Sequence, residues 1–201
     1  MYTVLKLNFQ FPILAGELGV MSCGTMNREL LLRRAILNCI DFARQYVYYL
    51  AISEHRAILN DNILIYINNN FIDMAVLEWC HCFNSYNDPI HYRKVTSEPE
   101  KFKSGMLEKL GLNEEEWAEY RESVKNYRDK GVAHLEPVPR IDIPDLNLAY
   151  SSMLYYYEYF IGEFKALSGN SVYYESLDKY CENRFKKYRE LTKLICQSIK
   201  T

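Results

Sequence analysis

The feature that most constrains this chain is a stretch of 33 positions, residues 27–59, that contains neither Gly nor Pro. The stretch is rich in Leu, Ala, Arg and Glu, residues that favour the α-helix, and the sequence predicts one long helix there. A helical fold is therefore the first hypothesis for the whole chain.

Further helical segments follow, and each is delimited by residues that cap or break helices. They are predicted over residues 62–83, 100–110, 113–134, 144–167 and 172–200. In the fourth helix, Asn113 is a good N-cap, and Glu114, Glu115 and Glu116 fill the first turn, where the helix dipole favours anions. Apolar side chains recur there at spacings of three and four, which predicts one buried stripe. The stripe consists of Trp117, Tyr120, Val124 and Tyr127.

Two segments do not fit a helix. Residues 5–11 alternate between apolar and polar side chains and predict a short strand, whose partner would be residues 138–143 or a second chain. Residues 84–98 are rich in Asn, Ser, Asp and Pro and predict a long surface loop. Since a chain of 201 residues suits one domain, we expect an all-α bundle of five to six helices. Its parts would be an extended N-terminal arm at 1–22, a core at 27–167 and a C-terminal helix at 172–200.

Composition limits the classes of function. The formal net charge of −2 does not attract nucleic acid to the protein as a whole, so any RNA contact must be local. A basic stretch at residues 179–193 is interleaved with acids and is typical of a solvated helix face. With no secretory leader or membrane-spanning run in the sequence, we expect a cytoplasmic protein without membrane contact. The six Cys lack a disulfide spacing, so we expect buried thiols.

The sequence offers no credible metal or cofactor site. Cys80, His81 and Cys82 are adjacent on a predicted helix, and neighbouring side chains diverge by about 100°. Glu78 and His81 have the Glu-x-x-His spacing of di-iron bundles, but the second copy that such a site needs is missing. We expect Glu78 and His81 to be structural or solvated. His55 and His91 are expected at the surface.

The segment from Arg128 to His134 is the strongest candidate for chemistry. Arg binds phosphate best among the side chains, and His has the unperturbed pKa suited to proton transfer near neutrality. On an ideal helix the two would point roughly 120° apart. They can meet only if the helix distorts near Gly131 or if two copies face each other in a dimer. The alternative is a simple helix terminus, where Arg and His interact with the dipole and the last carbonyls.

The sequence Tyr-Arg-Asp-Lys-Gly-Val-Ala-His at residues 127–134 resembles the signature of HEPN domains in prokaryotic defence and toxin systems. It is most similar to the form found in the abortive-infection branch. That signature is Arg, a polar residue, and a His after four to six positions. Asp129 fills the polar position, and five residues separate Arg128 from His134. The resemblance covers roughly residues 27–167, but only this segment is specific.

The resemblance implies a HEPN-like bundle that dimerises with its motifs facing, and a metal-independent endoribonuclease of a defence or toxin–antitoxin system. Arg128 would hold the scissile phosphate, and His134 would act as general base on the ribose 2′-hydroxyl. Lys130 would be a further phosphate contact, and Asp129 would orient Arg128 or His134. RNA, a second copy and an antitoxin or other protein are the implied partners. A toxin subgroup carries a modifiable Tyr where this chain has Glu136, so that regulation is not expected.

A rival hypothesis is a non-catalytic HEPN-like dimer that binds a nucleotide, RNA or a partner protein. The acidic balance of charges favours it mildly.

Overall fold

The computed structural model describes residues 27–55, 62–133, 142–168, 174 and 176–199. These residues form an all-α fold, which confirms the predicted class, and no strand occurs in the described ranges. The helices are α1 (Arg28–Ser53), α2 (Asn62–Phe83), α3 (Tyr92–Val95), α4 (Pro99–Leu110), α5 (Glu114–Tyr127), α6 (Leu146–Ser168) and α7 (Leu177–Ile199). A π-helical turn, Arg128–Ala133, continues α5. The described part therefore has seven helices rather than the expected five to six.

Helix α1 lies at the centre of the bundle, as its length and sequence favour. Its apolar side chains recur at spacings of three and four and are buried along one wide face. Side chains near both ends of α1 bond to α2 and α6, and these bonds show that both helices run antiparallel to it. For α2 the bonds are Asn38 Nδ2 to the Glu78 carbonyl at 2.8 Å and Asn68 Nδ2 to Ser53 Oγ at 3.0 Å. For α6 they are Tyr46 Oη to Asn147 Oδ1 at 2.8 Å and Arg28 Nε to Glu163 Oε1 at 2.7 Å.

Helix α7 runs parallel to α1. The Tyr48 and Tyr188 hydroxyls lie 3.2 Å apart, and Arg189 pairs with Glu54 further along at 2.6 Å. None of the helices in the described ranges has the length and apolar character of a membrane span.

All seven helices contribute to one continuous core that is unusually aromatic. Its centre is Trp79, whose ring meets the rings of Phe83, Trp117 and Tyr120 at centroid distances of 5.0 to 5.7 Å. The Trp79 indole N–H donates to Ser152 Oγ at 2.8 Å, so this buried polar group is satisfied. Five thiols are buried as expected: Cys39, Cys80, Cys82, Cys181 and Cys196.

The prediction of a surface loop at residues 84–98 is wrong in part: most of the segment is irregular, and Tyr86 and Asn87 are exposed, but its middle is not at the surface. Ile90, Tyr92 and Val95 are buried, and α3 forms one helical turn within this segment. The segment can be buried because its polar groups bond within the chain: Asp88 Oδ1 accepts from the Ile90 N–H at 2.9 Å, and the imidazole of His91 caps α3.

Two of the expectations for extended structure lie outside the described residues. These are the N-terminal strand at residues 5–11 and most of the segment 138–143. Residues 142–145, at the end of that segment, belong to no helix or strand.

Candidate functional site

Helix α5 places Arg128 at its C-terminal end. Asn113 caps the other end with a complete capping box, in which its side chain accepts from the Glu116 N–H and the Glu116 carboxylate accepts from the Asn113 N–H. The predicted stripe of Trp117, Tyr120, Val124 and Tyr127 is buried. Helix α5 lies antiparallel to α2, because the Tyr127 hydroxyl donates to Asp73 Oδ1 at 2.8 Å while Arg121 lies beside Asn84.

The backbone changes character where the motif begins. From Arg128 to Ala133 the chain forms a π-helical turn, in which i→i+5 hydrogen bonds widen the helix. Such turns are rare and occur frequently at functional sites. A distortion near Gly131 is one of the two conditions under which Arg128 and His134 could meet. His134 itself lies outside the described residues, as does Glu136.

Arg128 is half-buried and paired with its neighbour. Its Nε donates to Asp129 Oδ1 at 2.8 Å, and Nη2 lies 2.6 Å from the same oxygen. Nη1 lies 3.5 Å from Ser85 Oγ, at the outer limit of a hydrogen bond. Burial alone would lower the pKa of Arg128, but the bonds to Asp129 and the nearby Cys80 leave that pKa raised. The guanidinium therefore stays charged, and its contacts to Asp129, Cys80 and Ser85 use at most four of its five N–H groups.

Residues at the C-terminal end of α2 lie next to Arg128. Asn84 bridges to α5 twice, because its Nδ2 donates to the Arg121 carbonyl and its Oδ1 accepts from Arg121 Nε, both at 3.0 Å. Cys80 lies one helical turn before Asn84. Burial raises the pKa of the Cys80 thiol, and the charge of Arg128 opposes that rise. Arg121 is partly buried, and burial lowers its pKa. Two arginines thus lie along one side of α2.

The structure brings together some of the expected site residues and separates others. Asp129 contacts Arg128 directly, whereas the side chain of Lys130 is exposed to solvent. No sequence pattern indicated that Ser85 contacts Arg128 or that Asn84 binds Arg121. A bond to a residue more than 35 positions away leaves no local pattern, and the only available signal was the polar run that follows α2.

The other histidines differ from expectation in part. His91 is 2% exposed rather than at the surface, because its ring packs on Tyr92 and its Nε2 donates to the Phe83 carbonyl at 3.3 Å. Burial lowers the pKa of His91 to about 4, so the ring is neutral at pH 7. His55 is half-buried. His81 bonds to Asp88 through Nδ1 at 2.7 Å.

Within the described ranges, no three His, Cys, Asp or Glu side chains lie close enough to hold a metal ion. Comparisons with family models, with curated proteins and with solved structures give no match for this chain.

Proposed function

We propose that this protein is a HEPN-like, metal-independent endoribonuclease that acts as a homodimer. The observation that carries the proposal is the π-helical turn that begins at Arg128, the residue that the signature assigns to phosphate. The resemblance of residues 127–134 to the HEPN signature supplies the chemistry. The defence or toxin–antitoxin setting, with an antitoxin as a partner, belongs to the same proposal.

The contacts of Arg128 fit a phosphate anchor. Asp129 takes up one edge of the guanidinium, through Nε and Nη2, and fixes the plane of the group. At least one N–H group of the guanidinium remains for an oxygen of a phosphate. Ser85 lies near enough to Nη1 that an incoming phosphate oxygen would replace that long contact with a charge-assisted one.

In the proposed reaction, His134 removes the proton from the ribose 2′-hydroxyl, and the 2′-oxygen attacks the adjacent phosphorus. The bond from phosphorus to the 5′-oxygen breaks, and His134 of the partner subunit protonates the leaving oxygen. The products are a 2′,3′-cyclic phosphate and a 5′-hydroxyl. Arg128 binds the phosphate most strongly as negative charge builds in the transition state. Lys130, exposed beside it, contacts a neighbouring phosphate.

The test is cleavage of a single-stranded RNA in the presence of EDTA. The wild-type protein is expected to cleave, and mass spectrometry should find 2′,3′-cyclic phosphate ends. Arg128→Ala and His134→Ala should each lower the rate by about 10²–10⁴. The matched control is Arg189→Ala on α7. It removes an exposed arginine that is also ion-paired, in this case with Glu54. Cleavage that survives both motif substitutions would contradict the proposal.

The non-catalytic dimer remains the second candidate, and one observation favours it. Arg128 already has a carboxylate partner, so the motif can be stable without a substrate. In that case wild-type protein would bind RNA or a nucleotide without cleaving it. Sedimentation tests the dimer that both candidates require, and a monomer at micromolar concentration would count against both.

A further inference from the structure

A cavity of about 470 Å³ opens on the side of α2 away from Arg128, between α1 and the end of α2. Its size falls within the range of small-molecule sites. It is separate from the Arg128 cluster, since Glu78 and His81 line it whereas Cys80 and Asn84 face α5. The proposed ribonuclease reaction uses none of these lining residues.

The charges in this cavity are segregated along α1. Arg33 and Arg34 lie toward its N-terminal end, and Asp41 lies two turns further on. Asp41 pairs with Arg44 at 3.1 Å, so its charge is partly neutralised. In the part of the chain that the structure describes, neither Arg33 nor Arg34 has an ion-pair partner. Two unpaired guanidinium groups therefore mark one end of the cavity as a site for an anion.

His81 adds an oriented imidazole to the same cavity. Asp88 accepts at 2.7 Å from its Nδ1, and the Asp88 carboxylate is itself held by the Ile90 N–H. A carboxylate that fixes Nδ1 sets the orientation of the ring and leaves Nε2 for another partner. The His81 side chain is 42% exposed although Asp88 is only 12% exposed, so the ring is accessible while its support is buried.

The rest of the cavity lining includes an acidic side chain and apolar side chains. Glu78 lines this part of the cavity, and burial raises the pKa of its carboxyl. Leu37 is 41% exposed, and together with Ile90 it gives the cavity an apolar wall. A bare inorganic ion would fill only the basic end, whereas the body of a phosphomonoester would also reach the wall and Glu78.

We propose that this cavity is a binding site for the phosphate group of a small phosphomonoester. Arg33 and Arg34 hold the phosphoryl oxygens, and His81, oriented by Asp88, contributes a third donor through Nε2 in its imidazolium form, in which both ring nitrogens donate. Leu37 and Ile90 pack against the organic part of the ligand. The site and its ligand are independent of whether the Arg128 segment cleaves RNA.

The experiment is a titration of the full chain with adenosine monophosphate, and separately with inorganic phosphate, followed by the imidazole NMR signals. The chain has only four His, and His81→Gln identifies the signal of interest. Both probes should shift the His81 signal saturably at millimolar concentration or below, with the monophosphate binding more tightly. Equal affinities would assign the site to free phosphate, and tighter binding of the monophosphate to a phosphomonoester.

The Arg33→Gln/Arg34→Gln double variant should weaken binding by about tenfold or more, because it removes both positive charges that hydrogen-bond to the phosphate. Arg33→Lys/Arg34→Lys keeps the charge and should bind with intermediate affinity, which guards against a folding defect. Arg189→Gln is the matched control and should bind as the wild type does. No saturable shift with either probe, or an undiminished one in the Gln double variant, would overturn the proposal.

Discussion

The segments that follow α2 and α5 differ in how they use their polar groups. Beyond α2, Asn84, Asp88 and His91 each bond to other parts of the chain, and residues 90–92 are buried. Beyond α5, Arg128 contacts its neighbour Asp129, the thiol of Cys80 and, at a longer distance, Ser85. The first helix end uses its polar groups for stability, whereas the second retains unused hydrogen-bonding capacity. We infer that the unused N–H groups of Arg128 are available to a ligand.

The largest expected effect comes from breaking the packing beyond α2. Tyr92 is 1% exposed and stacks on Phe102 at 5.2 Å, so Tyr92→Ala should lower the free energy of unfolding by about 3–5 kcal/mol. Denaturant unfolding measures the change. Tyr66 is 70% exposed on α2, and Tyr66→Ala should stay within about 0.5 kcal/mol. Similar losses for both variants would contradict the burial of this segment.

A pH dependence of stability should follow from His91. Its pKa falls from 6.5 in the unfolded chain to about 4 in the fold, so the unfolded state binds more protons between these values. Stability should therefore be lost as pH falls from about 6.5 to about 4, by at most about 3 kcal/mol. Burial raises the pKa of Asp73 and Glu78, which acts in the opposite direction.

The contribution of His91 can be isolated from those carboxyl groups. Unfolding of wild type and His91→Gln should be compared across this pH range, because the carboxyl groups contribute equally to both proteins. The difference between the two should shrink as the pH falls. A difference that is constant with pH would show that the pKa of His91 is the same in the folded and unfolded states, which would contradict the prediction.

Asn84→Ala should have a smaller effect, because it removes two hydrogen bonds between α2 and α5 without opening a large cavity. We expect a loss of about 1–3 kcal/mol, mainly from leaving Arg121 without its partner. Thermal unfolding would detect the loss, with Asn183→Ala on an exposed face of α7 as the control. An unchanged melting temperature would mean that the two helix ends are held by apolar packing alone.

The smallest effect on stability is expected at Arg128. Its pair with Asp129 is partly exposed, and such pairs contribute about 0–1 kcal/mol. Arg128→Gln should therefore change the unfolding free energy by less than Asn84→Ala does, even though it removes the proposed phosphate anchor. If the loss equals or exceeds that of Asn84→Ala, then Arg128 is a structural helix terminus and the comparison between the two ends fails.

Local signals predicted α5 well and the segment after α2 badly. Asn113 and Glu116 form a capping box that depends only on neighbours in sequence, and the stripe that begins at Trp117 follows directly from helical spacing. The segment at 84–98 is rich in polar residues, and a helix of four residues is too short to show a periodicity. Its burial depends on bonds to α2 and α6, such as that from the Tyr156 hydroxyl to the Ile90 carbonyl.

The candidate site was predictable only in part for the same reason. The position of Arg128 at a helix end followed from the sequence, whereas a distortion near Gly131 was only one of two conditions under which the motif could assemble. The contacts of the guanidinium could not, because Ser85 lies 43 positions earlier and meets it through the packing of α2 against α5. His91 was misassigned because a polar side chain in a polar segment gives no indication that a carbonyl will pair with it.

The buried cysteines give the folded protein an internal set of chemical reporters. Cys39 and Cys82 are fully buried between α1 and α2, whereas Cys196 lies near the end of α7 among exposed apolar side chains. A thiol reagent reacts only when a thiol becomes exposed, so each alkylation rate reports the local opening of one helix. Cys196 should react as the end of α7 frays. Cys39 and Cys82 should react only when the central helix pair separates, at a rate set by global unfolding.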